Sequence, residues 1–142
     1  MCKSSNFHPV HPTKAMKRST QFLVFLCSVP LLLLGIKYMF FPESTYDLFE
    51  VTPTGTYGFN TIRASMGGLF LSGASLMLAG LWTNDRTWFH AALLMVSIVF
   101  AGRIFSLCTD GWTHVAIPAL VIEVFIIGVL VLASKYNDSS KN

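Results

Sequence analysis

Charged residues are scarce in this chain. They make up 12% of its 142 residues, against about 25% in soluble domains. Together with a hydrophobic content of 53%, this scarcity excludes a water-facing exterior and predicts that most of the surface faces lipid. The net charge is only +3, and no basic face on a soluble domain is visible, so we expect no nucleic-acid partner.

Cysteine is also scarce, which excludes a disulfide framework. The three cysteines are Cys2, Cys27 and Cys108, and an odd number without paired spacing predicts free thiols. The sequence contains no metal-binding cluster, no phosphate-binding loop and no nucleophile–base pair. We therefore expect no metal and no cofactor, and an enzyme is the least favoured class of function.

Four long apolar runs are what the chain does contain. They cover residues 22–41, 61–82, 88–107 and 113–134, and about 20 apolar residues suffice for a helix to cross a bilayer. The runs predict an all-α fold, an integral membrane four-helix bundle over residues 21–134. Short connections predict antiparallel, up-down topology. Residues 1–20 are predicted to be a disordered polar tail, and residues 135–142 a second polar tail.

Positive charge is concentrated on one side of the predicted bundle. The N-terminal tail, the turn with Arg86 and the C-terminal tail hold seven of the ten lysines and arginines. The connection over residues 42–60 is acidic and contains neither residue type. The positive-inside rule then places both termini in the cytoplasm.

Four charged residues mark a polar centre at the opposite end. Arg63 and Arg103 lie near the ends of their runs, Asp110 lies in the following turn, and Glu123 lies about 15 Å along the last helix. A charge at that depth is expensive and by default marks a pairing or functional site. Glu123 is either protonated or paired with an arginine, and both arginines are candidates. Asp110 can hold whichever arginine faces the turn.

The second run also carries small residues at helical spacing. Close helix packing is the usual role of such residues in membranes. One face holds Ala64, Gly68, Ser72, Ser75 and Ala79, and Gly67 lies on the adjoining face with Arg63. We predict that Gly67, Gly68, Ser72 and Ser75 pack against another helix.

The charged residues and their sequence neighbours form a pattern that resembles a known family. The pattern Arg63-Ala64-x-x-Gly67-Gly68, then Gly102-Arg103-x-x-Ser106-Leu107-x-x-Asp110-Gly111, then Glu123, resembles small bacterial inner-membrane proteins known only as a domain of unknown function. Their layout is similar to that of small four-helix proteins of the DoxX type. The resemblance covers about residues 20–134. It implies a multi-pass protein of the inner (cytoplasmic) membrane and implies no activity.

Three functions remain open at this point. The first is binding of a lipid-like, quinone-like or anionic amphiphilic ligand, with the arginines at its polar head. The second is a non-enzymatic accessory or oligomeric subunit that packs against a second copy or a partner membrane protein, where the charges only fix helix packing. The third and least favoured is an intramembrane enzyme with Glu123 or His90 as proton carrier.

Overall fold

The structure, a computed structural model, describes residues 14–111, 114 and 116–138, and that part of the chain contains helices and no strands. The prediction of an all-α fold is confirmed. A 3₁₀ turn at Pro42–Thr45 follows the first helix, and a π turn at Arg63–Gly67 joins the third helix to the fourth. The α-helices of the described residues are α1 Lys14–Phe40, α2 Tyr46–Phe49, α3 Gly55–Ile62, α4 Gly68–Thr83, α5 Arg86–Thr109 and α6 Ala116–Asp138.

In the part of the chain that the structure describes, four helices are long and apolar enough to cross a membrane. Their apolar spans are Arg18–Phe40, Gly55–Thr83, Arg86–Thr109 and Ala116–Tyr136, with 23, 29, 24 and 21 residues, and the second of them joins α3, the π turn and α4. Large apolar side chains cover their outer surfaces; Leu33, Ile98 and Val121, for example, are more than 60% exposed. An exposed apolar surface this extensive marks contact with lipid. The four apolar runs of the sequence therefore correspond to the four long helices of a multi-pass membrane protein.

The helices begin and end at other residues than the apolar runs. Helix α1 begins at Lys14, so residues 14–20 of the predicted tail are helical, and the second long helix begins at Gly55 rather than at residue 61. Hydropathy marks only the part of a helix at lipid depth, and polar residues can extend the helix beyond it. The predicted start of the last helix at residue 113 lies outside the described residues, as do residues 1–13 and 139–142 of the predicted tails.

Each of the four long helices contacts two of the others: α1 packs on α4, α4 on α5, α5 on α6, and α6 on α1. Glycines set the closest approach of α1 and α4. A Cβ at Gly35 would lie 2.7 Å from the backbone nitrogen of Leu71, and one at Gly67 would lie 3.1 Å from that of Met39. The two helices therefore run in opposite directions where they touch.

One end of these four helices is held by the turn between α4 and α5. Asn84 ends α4 in the left-handed conformation, with a φ of 51°, and its side chain accepts a hydrogen bond from Gln21 at 2.9 Å. Asp85 caps α5 by accepting the backbone N–H of Thr87 at 3.0 Å. A buried apolar core lies toward this end, and includes Val24, Met77, Phe89, Leu130 and Ala133. The other half of the molecule contains the polar centre.

Candidate functional site

Arg103 of α5 and Glu123 of α6 form an ion pair. The Nε of Arg103 donates a hydrogen bond to Oε1 of Glu123 at 3.0 Å. Glu123 is only 8% exposed, and the Arg103 side chain is 26% exposed. The structure thus selects Arg103 from the two arginines that the sequence leaves open as partners of Glu123.

The positions of the helix ends explain this pairing. Helix α5 continues to Thr109 and α6 begins at Ala116. At a rise of 1.5 Å per residue, Arg103 lies about 9 Å from its helix end and Glu123 about 10 Å from its own. The apolar runs alone gave these two residues unequal depths. With the helix ends as the structure has them, the two side chains meet at the same level.

The pair leaves one carboxylate oxygen without a partner. The Oε2 atom of Glu123 is buried and receives no hydrogen bond from the described residues. Arginine has five N–H donors, and only the Nε of Arg103 has a partner in the described part of the chain. The polar centre therefore has unused hydrogen-bonding groups of both kinds.

A cavity of about 210 Å³ lies beside this pair, and both residues line it. All four long helices contribute to its wall, and Phe49 of α2 covers part of it. Apart from the ion pair the wall is apolar; its side chains include Leu31, Leu34, Phe70, Val96, Val99 and Ile126. The cavity is therefore apolar except for one polar patch, the ion pair, in which the two opposite charges balance each other.

The other two charged residues of the predicted centre lie elsewhere. Arg63 is exposed in the π turn, and its side chain forms no hydrogen bond or ion pair with any residue that the structure describes. Asp110 is exposed at the end of α5, where it accepts a hydrogen bond from the Ser106 hydroxyl at 2.9 Å. Gly111 follows with a φ of 95°, a left-handed conformation that favours glycine. The structure brings together Arg103 and Glu123, and neither Arg63 nor Asp110 joins them.

The small residues of the second run divide into two groups. Gly67 is buried against α1. A Cβ at Gly68 would meet nothing within 4 Å, and Ser75 is exposed. Ser72 is exposed too, although its hydroxyl lies 3.7 Å from the sulfur of Met95. Of the four residues predicted to pack against a helix, Gly67 lies at a close backbone contact with α1, and Ser72 contacts α5 through its side chain.

An aromatic cluster beside the cavity was not predicted from the sequence. Tyr38 is fully buried, and its ring lies 5.5 Å from that of Phe49 and 6.0 Å from that of Phe70, between centroids. Its hydroxyl has no partner among the described residues. The sequence offered one indication of this cluster, because Tyr38 lies inside the first apolar run. Phe49 belongs to the 42–60 connection, which lies outside the four apolar runs.

Metal coordination has no candidate in the described part of the chain: residues 14–111, 114 and 116–138 contain no group of three or more His, Cys, Asp or Glu side chains placed to hold an ion. No curated protein and no solved structure matches the sequence. One family model does match, over residues 19–134, and its description is "Domain of unknown function (DUF4345)". That match covers most of every long helix together with the Arg103–Glu123 pair and its cavity, and the chain belongs to the DUF4345 family.

Proposed function

We propose that this multi-pass protein binds an amphiphilic small molecule, lipid-like or quinone-like, in the cavity between its four long helices. The polar head lies at Arg103 and Glu123, and the tail lies against the apolar wall. One observation carries the proposal: a buried ion pair forms part of the wall of an otherwise apolar cavity.

The position of the pair supports binding over a purely structural role. Burying two charges costs several kcal/mol per ion, and apolar side chains would pack helices in lipid without that cost. A pair that only fixed helix register could lie wholly between α5 and α6, but Arg103 and Glu123 both line the cavity. The cavity volume of 210 Å³ exceeds the ~150 Å³ of an engineered apolar cavity that binds benzene. A ring or a short alkyl segment therefore fits.

The route of entry follows from the exposure of α6. Pro118 and Ile122 line the cavity and are also exposed on the outer surface. A ligand dissolved in the bilayer would thus reach the cavity laterally, past α6, without entering water. This route favours a lipid-soluble molecule over a water-soluble one.

Native mass spectrometry of the protein extracted gently from membranes tests the proposal. We expect a bound small molecule in the wild type and none in Val99→Phe, because the larger side chain fills the cavity that Val99 lines. Ile98→Phe is the matched control, since Ile98 is the preceding residue and is 64% exposed. Its spectrum should match that of the wild type. A wild type without any bound molecule, or equal binding in Val99→Phe, would contradict the proposal.

An accessory or oligomeric subunit is the alternative function. Ser72 and Ser75 favour it, because these small residues are exposed on α4 and would let a helix of a second copy or of another membrane protein approach closely. In this case the charge pair only fixes helix packing. The same mass spectrum separates the two functions: a complex of two or more chains without any bound small molecule favours the accessory subunit.

The proposed location is the bacterial inner membrane, in antiparallel up-down topology with both termini in the cytoplasm. The distribution of lysine and arginine supports this orientation. It puts Cys108, an exposed free thiol near the end of α5, on the periplasmic side. Cys2 precedes the first helix in the sequence and would be cytoplasmic.

Labelling of cysteines in intact spheroplasts checks this orientation. A membrane-impermeant maleimide is expected to label the wild type and to leave Cys108→Ser unlabelled, because Cys27 is buried and Cys2 is shielded by the membrane. Permeabilised spheroplasts provide the control, in which Cys108→Ser should be labelled through Cys2. Labelling of intact Cys108→Ser spheroplasts at the wild-type level would reverse the orientation.

A further inference from the structure

The polar patch of the cavity offers one acceptor and several donors. Oε2 of Glu123 is a buried acceptor without a partner, on a residue that is 8% exposed. Arg103 uses Nε alone among the described residues, which leaves four of the five guanidinium N–H groups. A buried acceptor without a donor is destabilising. Glu123 lines the cavity, but Oε2 itself has almost no accessible surface. A ligand that supplies one donor and one acceptor would therefore satisfy both residues once the carboxylate turns toward it.

The charge of the patch restricts the head group further. Guanidinium and carboxylate cancel each other, and no other charged side chain of the described residues lines the cavity. An anionic head would bring an unpaired negative charge next to Oε2, and a cationic head an unpaired positive charge next to Arg103. An unpaired charge is unfavourable where water is excluded. Electrostatics therefore favour a neutral head.

We propose that the cavity selects an uncharged amphiphile with a hydroxyl-bearing head, whose hydroxyl donates to Glu123 Oε2 while an oxygen of the same head accepts from Arg103. This inference rests on the proposed function and narrows its ligand class. Quinols and acylglycerols share the required chemistry. A quinone lacks the donor and leaves Oε2 without a partner, and a fatty-acid anion adds a charge that the pair does not neutralise.

A set of probes with one common tail tests this selectivity. The full-length protein is placed in phosphatidylcholine nanodiscs, and each probe is added at increasing mole fraction. Affinity follows from the rise in melting temperature, since a ligand that binds only the folded state stabilises it. The probes are dodecylhydroquinone kept reduced under nitrogen, 1-dodecanoylglycerol, dodecylbenzoquinone, dodecanoate and dodecyltrimethylammonium.

We expect the two hydroxyl-bearing probes to bind the wild type about tenfold or more tightly than dodecylbenzoquinone, because a hydrogen bond to a charged acceptor is worth at least that factor. The stronger of these two probes indicates whether a quinol or an acylglycerol is the source of the head group. Val99→Phe should respond to no probe. Glu123→Gln should shift the preference toward dodecanoate, because Arg103 then lacks its counter-charge.

The outcomes for the inference and for the proposed function are distinct. If dodecanoate or dodecyltrimethylammonium binds the wild type as tightly as the hydroxyl-bearing probes, the inference fails and the proposed function stands. If no probe stabilises the wild type more than Val99→Phe, both fail. Should Glu123→Gln not fold, the series of probes on the wild type decides alone.

Discussion

Arg103→Met is expected to lower the free energy of unfolding by about 3–5 kcal/mol, the loss that follows when one partner of a buried ion pair is removed. The substitution keeps an unbranched side chain but leaves the Glu123 carboxylate buried without its counter-ion, and this carboxylate already has one oxygen without a donor. Reversible unfolding in mixed micelles with increasing SDS, followed by circular dichroism, measures the change.

Two further variants distinguish the effect of breaking the ion pair from the effect of removing an arginine. Arg103→Met combined with Glu123→Met should return to within about 1 kcal/mol of the wild type, because buried pairs are often replaced by apolar residues without loss. Arg63→Met is the matched control: the Arg63 side chain is exposed and has no partner among the described residues, so a change within about 0.5 kcal/mol is expected. Equal stability of Arg103→Met and Arg63→Met would show that the ion pair is not formed.

Gly35→Ala is expected to lower the free energy of unfolding by about 1–3 kcal/mol, the usual cost of overpacking a close contact. The new Cβ would lie 2.7 Å from the backbone nitrogen of Leu71, and a backbone atom inside a helix cannot move aside as a flexible side chain can. Helices α1 and α4 must separate instead. The same SDS titration measures the loss, and it should be accompanied by greater exposure of buried Cys27 to a thiol reagent.

Gly128→Ala provides the control for this clash. Gly128 lies within α6, and a Cβ there would meet nothing within 4 Å. Alanine is favoured over glycine in a helix interior by about 1 kcal/mol, so this variant should equal or exceed the stability of the wild type. If Gly35→Ala also proved neutral or stabilising, the close contact of α1 with α4 would be refuted.

The fold could be predicted further than the site, because length and hydropathy are local properties. Residues at membrane depth are apolar whatever they contact, so four runs predict four helices. The partner of Glu123 depends instead on where α5 ends and α6 begins, at Thr109 and Ala116. Hydropathy alone does not give those ends. The sequence thus indicated Arg103 and Glu123 as members of a centre but left the partner open.

The inward face of α4 was beyond prediction for a different reason. In a soluble protein the apolar side of a helix faces the core. In lipid both sides of a helix are apolar, so the hydropathy pattern does not indicate which side faces the other helices. The positions of small side chains do not identify the inward face either: Gly73 and Gly80 are buried, whereas Ser72 and Ser75 are exposed. The π turn at Arg63–Gly67 also breaks the regular spacing that a helical wheel assumes. The likeness in layout to proteins of the DoxX type stays a prediction.

The unequal lengths of the four apolar spans have a consequence for the fit to a bilayer. The second span, Gly55–Thr83, has 29 residues against 21 to 24 in the others, or about 43 Å against 32–36 Å at 1.5 Å per residue. A hydrocarbon layer of about 30 Å matches the shorter three. The second span is packed between α1 and α5, so we expect it to extend beyond the hydrocarbon layer rather than to tilt by itself. Its first turns, with exposed Tyr57, would then reach the headgroup layer, and a thicker bilayer would take up more of them.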